Sequence, residues 1–297
     1  MHAFRWAAIW LALNAGCLRA AGPDGPEPSI PPLLSLAELQ ARLDNPRLRL
    51  LDARPKADYD KGHIPGALWV DLKGLQALTA GVTIANAGAW GKALAPLGIG
   101  PDADVFVYDA DRQHDAGRVW WLLAYAGVED VGLVDGGFPL WAREGRPVTA
   151  EVREIEPHLF APKFHPAWVA DREAVRKAVA AGEPRVVDAR TAAEYSGEVK
   201  PKDGTRAGHI PKAISFDAYE LVDAEGRLVA PPAQRERLAR AGVALDRPMI
   251  AYVGSGGRSG LFVFALRRLR VPAIHYVRGI SDWRSDPTCP LVEGTAP

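Results

Sequence analysis

The tetrapeptide LDAR at residues 51–54 returns as VDAR at residues 187–190, and this repetition decides the organisation of the chain. The motif GHIP follows in both copies, at residues 62–65 and 208–211. Motifs that recur in the same order indicate two copies of one domain. The offset grows from 136 residues between the first motifs to 146 between the second, so the later copy holds ten additional residues, within 196–207.

Further matches extend the repeat on both sides of these motifs. They are Tyr59 with Tyr195, VFVY (105–108) with MIAY (249–252), Gly137 with Gly279, and Trp141 with Trp283. We therefore expect a first domain at 33–148 and a second at 167–293. The segment 149–166 has mixed charge, three prolines and no periodicity, which is typical of a linker on the surface.

Within each copy, short apolar runs alternate with segments whose apolar residues have helical spacing. Predicted strands cover 49–52, 105–108 and 132–134, and predicted helices include 36–43, 118–125 and 261–269. This alternation predicts an α/β fold with a parallel sheet covered by helices. Ligands of such sheets bind beyond the carboxyl ends of the strands, so the loops after Tyr108 and Tyr252 are the expected sites.

The composition excludes several classes of protein and partner. Of the 297 residues, 48% are hydrophobic and 24% are charged, as in ordinary soluble globular proteins. Lys and Arg together (36) equal Asp and Glu (36), so no overall basic field attracts nucleic acid. The two cysteines, Cys17 and Cys289, are too few for a disulfide framework or a multi-cysteine zinc site. We expect no metal and no cofactor.

The N-terminus has the pattern of a secretory signal. Residues 6–13 are uninterrupted apolar sequence, and small residues follow up to Ala21. We expect residues 1–21 to be a signal peptide, 22–32 to be a Pro-rich segment, and the protein to be exported to the periplasm. An alternative is a buried N-terminal helix. Another is lipid attachment at Cys17, the only route by which we expect contact with a membrane.

Taken in order and twice, these motifs resemble the tandem-domain rhodaneses, the thiosulfate and 3-mercaptopyruvate sulfurtransferases. The resemblance covers nearly the whole chain beyond the signal segment. It implies two α/β/α sandwich domains, each around a parallel sheet, with a structural first copy and a catalytic second copy. It also implies a loop of the form Cys-x-x-x-x-Arg after the strand, whose thiolate carries a sulfane sulfur to an acceptor.

In this chain the corresponding loop begins with Val253 and closes with Arg258. An alkyl side chain is neither ionisable nor nucleophilic, so it cannot carry a persulfide. The equivalent first-domain residue is Asp109, which leaves neither domain with the expected catalyst. Ser255 has no evident base to activate it as a replacement nucleophile. Cys289 lies near the C-terminus rather than in the loop, and a structural role is the favoured interpretation.

The second loop nevertheless keeps the features of an anion site. Its glycines allow a tight turn whose backbone N–H groups face inward at a helix N-terminus. The candidate residues for binding a small sulfur-containing or carboxylate anion are Gly254, Ser255, Gly256, Gly257, Arg258, Ser259 and Arg190. The alternative is that the glycines only close the turn and that Arg258 pairs with a core carboxylate such as Asp188. We take Arg118 as the first-domain match of Arg258.

Other conspicuous residues are assigned to the scaffold. Asp52 and Asp188 are expected to tie their strands to neighbouring loops, and Arg54 to pair with an acid. The histidines of the two GHIP turns, His63 and His209, are expected to be hydrogen-bonded structural residues. Four tryptophans are expected in the core: Trp120, Trp121, Trp141 and Trp283.

Three hypotheses about function remain open. The first is a rhodanese-like protein that binds a small anion, or a protein partner, without turnover. The second is a sulfurtransferase that acts by a route not using a loop cysteine. The third is a scaffold with an empty cleft, because a fold alone does not establish an activity.

Overall fold

The computed structural model describes residues 30–80, 84–254 and 257–297. The predicted signal peptide, Cys17, most of the Pro-rich segment, Ser255 and Gly256 lie outside the described residues. No helix in the described ranges is long and apolar enough to cross a membrane.

The first domain is an α/β unit of five strands and six α-helices within the described ranges. The strands are β1 (Leu33–Leu34), β2 (Leu48–Asp52), β3 (Leu68–Trp69), β4 (Asp104–Tyr108) and β5 (Gly132–Val134). The helices are α1 (Leu36–Gln40), α2 (Lys56–Lys61), α3 (Leu72–Ala80), α4 (Ala87–Leu94), α5 (His114–Tyr125) and α6 (Gly137–Arg143). The strands pair in parallel in the order β1-β5-β4-β2-β3.

The second domain repeats this plan with four strands. They are β6 (Arg185–Asp188), β7 (Ile214–Ser215), β8 (Met249–Tyr252) and β9 (Ala273–His275). The helices are α7 (Arg172–Ala181), α8 (Ala192–Ser196), α9 (Pro231–Arg240), α10 (Gly257–Arg268) and α11 (Gly279–Ser285). The sheet is parallel in the order β7-β6-β8-β9, and Val169 adds a single parallel bridge to His275 where β1 lies in the first domain.

The predicted α/β fold with two parallel sheets is confirmed. The predicted strands are β2, β4 and β5, with β2 and β4 each beginning one residue earlier than expected. Their central residues are buried because helices cover both faces of each sheet. The predicted helix at 118–125 is the later part of α5, which begins at His114.

The two domains share one continuous apolar core. Helices α5 and α10, which follow the two candidate loops, cross at Gly117 and Gly260. A Cβ on Gly117 would lie 2.6 Å from the backbone nitrogen of Leu261, so the crossing requires a residue without a side chain. Beside it, Trp120 meets Phe264 edge to face at 4.9 Å between ring centroids.

The segment 149–166 runs along the first domain. The N–H of Lys163 donates to the Ala126 carbonyl (2.9 Å), and the N–H of His165 donates to the Tyr125 carbonyl (3.1 Å). Phe160 and Phe164, both half-buried, pack against the shared core. Most of the other residues in this segment face solvent.

Candidate functional site

The residues directly after β4 and β8, Asp109 and Val253, occupy the same place in the two domains. The N–H of Phe138, in α6, donates to the Asp109 carbonyl at 2.8 Å. In the second domain the N–H of Ile280, in α11, donates to the Val253 carbonyl at 2.9 Å. Asp109 and Val253 are therefore equivalent residues of the two loops.

In the first domain, the side chain of Asp109 fills its own loop. Its Oδ1 accepts from the N–H groups of Asp111 (3.2 Å) and Gln113 (3.1 Å), and its Oδ2 from those of Asp115 (2.8 Å) and Ala116 (3.0 Å). Burial raises the pKa of Asp109 to about 6, although the N–H bonds act in the opposite direction. Four converging N–H groups at a helix start thus hold one carboxylate.

In the second domain, the matching side chain offers no acceptor. Val253 is buried and belongs to the shared apolar core. Arg258 and Ser259 stand second and third in α10, as Asp115 and Ala116 do in α5, so their N–H groups are the counterparts of two that bind Asp109. Of the candidate loop residues, Gly254 is partly exposed, whereas Gly257 and Ser259 are buried.

Arg258 is held by an acid that the sequence did not single out. Its two terminal nitrogens donate to Glu194 Oε2 (2.7 Å) and Oε1 (2.8 Å), a paired arrangement that fixes the guanidinium. Burial alone would raise the pKa of Glu194, but the bonds and charge of Arg258 and the N–H of Thr191 outweigh it and lower the pKa to about 2. The partner is thus Glu194, and Asp188 bonds elsewhere.

Arg190 has the same surroundings as its first-domain counterpart. Its Nη2 donates to Asp188 Oδ2 (2.6 Å) and to the Gly208 carbonyl (2.9 Å). Arg54 makes the same two kinds of bond in the first domain, to Asp52 and to a GHIP-turn glycine. Both pairs join the end of a strand to a neighbouring turn, as expected for the two aspartates and for Arg54.

A histidine from the first domain reaches the second-domain loop. His114 Nδ1 lies 2.8 Å from the hydroxyl of Tyr219, and a Cβ on Gly257 would collide with the His114 imidazole. Burial lowers the pKa of His114 and raises that of Tyr219 to about 12, so both are neutral at pH 7. No sequence pattern indicates this contact, because the two residues lie in different domains.

Arg118 is not the counterpart of Arg258, and the earlier match is wrong. Counted from the helix starts, Asp115 is the counterpart, because it and Arg258 are each the second residue of their helix. Five residues lie between Tyr108 and α5, whereas four lie between Tyr252 and α10. Arg118 lies one turn further along α5 and borders the second domain near Gly254 and His275. Arg118→Ala therefore cannot serve as a control variant at a distance from the second-domain loop.

Comparison with known proteins places this geometry in a family. The sequence profile of the Rhodanese-like domain matches residues 35–144 and 171–286, one match in each half. The chain belongs to the rhodanese-like domain family.

Relatives of similar length carry the names of sulfurtransferases. The 3-mercaptopyruvate sulfurtransferase of Escherichia coli K12 is 30% identical over 267 residues, covering 85% of this chain and 95% of the relative. The thiosulfate sulfurtransferase of Azotobacter vinelandii is 30% identical over 273 residues, covering 89% and 97%. The crystal structure of SseA from Escherichia coli, a 3-mercaptopyruvate sulfotransferase, has a TM-score of 0.73 at 29% identity, covering 83% of this chain and 98% of SseA.

The other residues singled out in this rhodanese-family chain belong to its scaffold. His63 and His209 stack on Tyr59 and Tyr195, and each places Nδ1 at 2.9–3.0 Å from the carbonyl of that tyrosine. The four tryptophans expected in the core are all buried. Cys289 is fully buried, with Arg176 Nη2 at 3.1 Å from its sulfur. Among the described residues, no group of three His, Cys, Asp or Glu could hold a metal ion.

Proposed function

We propose that this rhodanese-family protein binds a small sulfur-containing or carboxylate anion in its second-domain loop and forms no cysteine persulfide there. One observation carries the proposal. In the first domain the loop N–H groups bind the carboxylate of Asp109, whereas the same position in the second domain is Val253. We therefore propose that a bound anion takes, in the second domain, the place that the Asp109 carboxylate takes in the first.

The chemistry of the loop argues against persulfide transfer. The relatives described above are named for the transfer of sulfur. A thiolate side chain can carry the transferred sulfur, whereas the alkyl side chain of Val253 cannot. Cys289, the one cysteine in the described ranges, is fully buried beside α7 and far along the chain from the loop. Its sulfur accepts from Arg176 Nη2 at 3.1 Å.

The loop and its surroundings favour an anion. Backbone N–H groups at the start of α10, a helix of twelve residues, combine with the positive end of the helix dipole. The guanidinium of Arg258 is already neutralised by Glu194, so the backbone supplies most of the attraction. With one or two charged hydrogen bonds of about 1.5–3 kcal/mol each, less the cost of immobilising the ion, we expect affinity between millimolar and high-micromolar.

The first prediction concerns turnover. The wild-type protein should show negligible transfer of sulfur from thiosulfate or 3-mercaptopyruvate to cyanide. In Val253→Cys the new thiolate should take the sulfane sulfur of thiosulfate and release sulfite, a gain of one sulfur atom that mass spectrometry of the intact protein measures. Wild-type turnover within the usual enzyme range of about 1–1000 per second would refute the proposal and support a route without a loop cysteine. Cys289→Ser would then test the remaining thiol.

The second prediction concerns anion binding. Sulfate should raise the melting temperature of the wild type more than that of Val253→Asp, because the new carboxylate should fill the loop as Asp109 does. At ten times its dissociation constant, a ligand stabilises by about 1.4 kcal/mol. Val253→Ala, which adds no acceptor, should respond like the wild type. Since sulfate stabilises many proteins without binding a site, the measured quantity is the difference between variants.

Equal responses of wild type and Val253→Asp would contradict anion binding and favour a scaffold with an empty cleft. Arg258→Ala is a less informative variant. It would leave the Glu194 carboxylate without its partner, and the unpaired negative charge would itself repel an anion.

A further inference from the structure

Two arginines of the first domain lie side by side at the edge of the sheet where the strands begin. Arg49, in β2, donates from Nε to the Gly98 carbonyl (2.7 Å). Its Nη1 donates to the carbonyls of Pro46 (2.8 Å) and Leu48 (3.2 Å). Arg153 donates from Nη1 to the same Leu48 carbonyl (3.1 Å). The two Nη1 atoms are therefore at most 6.3 Å apart, the sum of their distances to that oxygen.

The positive charges of this pair are not neutralised within the described residues. All the hydrogen bonds of Arg49 and Arg153 go to carbonyl oxygens, and neither side chain forms an ion pair with a described acid. Burial and the charge of Arg153 both lower the pKa of Arg49, and no described acid acts in the opposite direction. Two like charges this close repel each other, so an anion bound between them would remove an unfavourable interaction.

The unbonded N–H groups of the pair are accessible to a ligand. Arg49 Nη2 and both Nε and Nη2 of Arg153 have no partner among the described residues. Both side chains are half-buried, and none of these nitrogens is enclosed in the protein. Guanidinium groups bind phosphate through charged hydrogen bonds of about 2.7–2.9 Å, so the oxygens of one phosphate can bridge two arginines at this spacing.

The second domain has an acid where the first has a further arginine. The motif offset of 136 residues makes Arg185 the counterpart of Arg49. The same offset makes Glu183 the counterpart of Arg47. Arg185 Nε lies 3.8 Å from Glu183 Oε1, whereas the exposed Arg47 forms only a long ion pair, 3.9 Å, with Asp104 in the described part of the chain. Arginine without an acid at this strand position is therefore a feature of the first domain alone.

A cavity of about 330 Å³ adjoins the arginine pair, a volume within the range of small-molecule sites. Its lining includes Arg47 and Arg49, and also the acids Asp102 and Glu156. Both acids are exposed, so water and salt screen their charges. Ionised carboxylates accept hydrogen bonds from hydroxyl groups. The lining thus offers arginines to an anionic group and carboxylates to the hydroxyl groups of the same ligand.

We propose that this cavity binds a phosphate monoester of a hydroxylated compound, such as a sugar phosphate. The phosphate accepts from the unbonded N–H groups of Arg49 and Arg153, and hydroxyl groups of the organic body donate to Asp102 and Glu156. The site lies at the opposite edge of the sheet from the loops that follow β4 and β8. It therefore does not depend on the proposed function.

The test compares thermal unfolding in sodium phosphate with unfolding in sodium chloride of equal ionic strength at pH 7. At ten times its dissociation constant, phosphate should raise the melting temperature of the wild type by about 2–4 °C more than that of Arg153→Gln. Arg185→Gln is the control, because it removes a positive charge from the second domain, and it should respond like the wild type. Equal responses of the wild type and Arg153→Gln would overturn the site.

A second comparison tests the organic body of the ligand. Glucose 6-phosphate should reach half of its effect at a concentration about threefold lower than inorganic phosphate does, because its hydroxyl groups add hydrogen bonds. Glu156→Ala should reduce this preference without weakening the effect of inorganic phosphate. An equal or weaker effect of glucose 6-phosphate on the wild type would overturn the assignment to a monoester. Neither result bears on the sulfate comparison of Val253→Asp with the wild type, since both of those proteins keep Arg49 and Arg153.

Discussion

Gly117→Ala should destabilise both domains together, by about 3 kcal/mol or more. The added methyl group would lie 2.6 Å from Leu261 N and 2.9 Å from Leu261 Cα, and backbone atoms cannot turn aside as a side chain can. Helices α5 and α10 would have to separate, loosening the core that the domains share. Gly260→Ala should have a similar effect, since its methyl group would meet the Gly117 carbonyl at 2.5 Å.

Denaturant unfolding followed by circular dichroism measures this loss. Gly88→Ala is the matched control, because Gly88 is also helical but exposed, and its nearest contact would be an ordinary 3.7 Å to Asn86 Oδ1. That variant should be neutral or slightly stabilised, because alanine favours helix. If Gly117→Ala and Gly88→Ala unfolded at the same denaturant concentration, the close helix crossing would be wrong.

Asp109→Ala should have the second largest effect, because it removes the acceptor of four backbone N–H groups. A buried donor left without a partner costs about 1–3 kcal/mol, so we expect a loss of about 3 kcal/mol at neutral pH. Formate supplies the same carboxylate group as the removed side chain. It should therefore stabilise Asp109→Ala more than the wild type, because formate bound by the second-domain loop would stabilise both proteins equally, and this difference is the formate effect.

The pH dependence gives this prediction a second readout. The pKa of Asp109 is raised from 3.8 to about 6, so the folded protein holds the proton more tightly than the unfolded chain. Its contribution to stability is therefore complete below about pH 4 and falls as the pH rises to 6. The cost of Asp109→Ala should accordingly be greater at pH 4 than at pH 7. Asp111→Ala, at an exposed neighbour, is the control and should show neither the loss nor the formate effect.

The repeat predicted the fold because its motifs consist of residues that are close together in the sequence. Buried strands and strand-end aspartates recur at similar spacing in both halves, so residues such as Asp52 and Asp188 could be assigned to the scaffold without coordinates. Their bonds to Arg54 and Arg190 join residues only two positions apart, a separation that a sequence displays directly.

The contacts among the residues of the site could not be predicted in the same way. Glu194 binds Arg258, which lies 64 residues further along the chain. The sequence pattern around Glu194 indicates a helix cap with Thr191 at the start of α8, and not a contact with Arg258. Arg118 has the residue type of Arg258 but not its position, because it lies three residues, almost one helical turn, beyond Asp115, the second residue of α5. Residue type alone therefore does not identify the counterpart.

The helix crossing at Gly117 and Gly260 also limits how molecules can reach the interior. Many two-domain proteins admit their ligands by hinge motion, in which the halves swing apart and close again. Here backbone meets backbone at the pivot, and an unbroken apolar core surrounds it, so swinging apart would expose that core to water. We expect exchange of small molecules to follow side-chain motions at the surface, with rates that do not depend on domain opening.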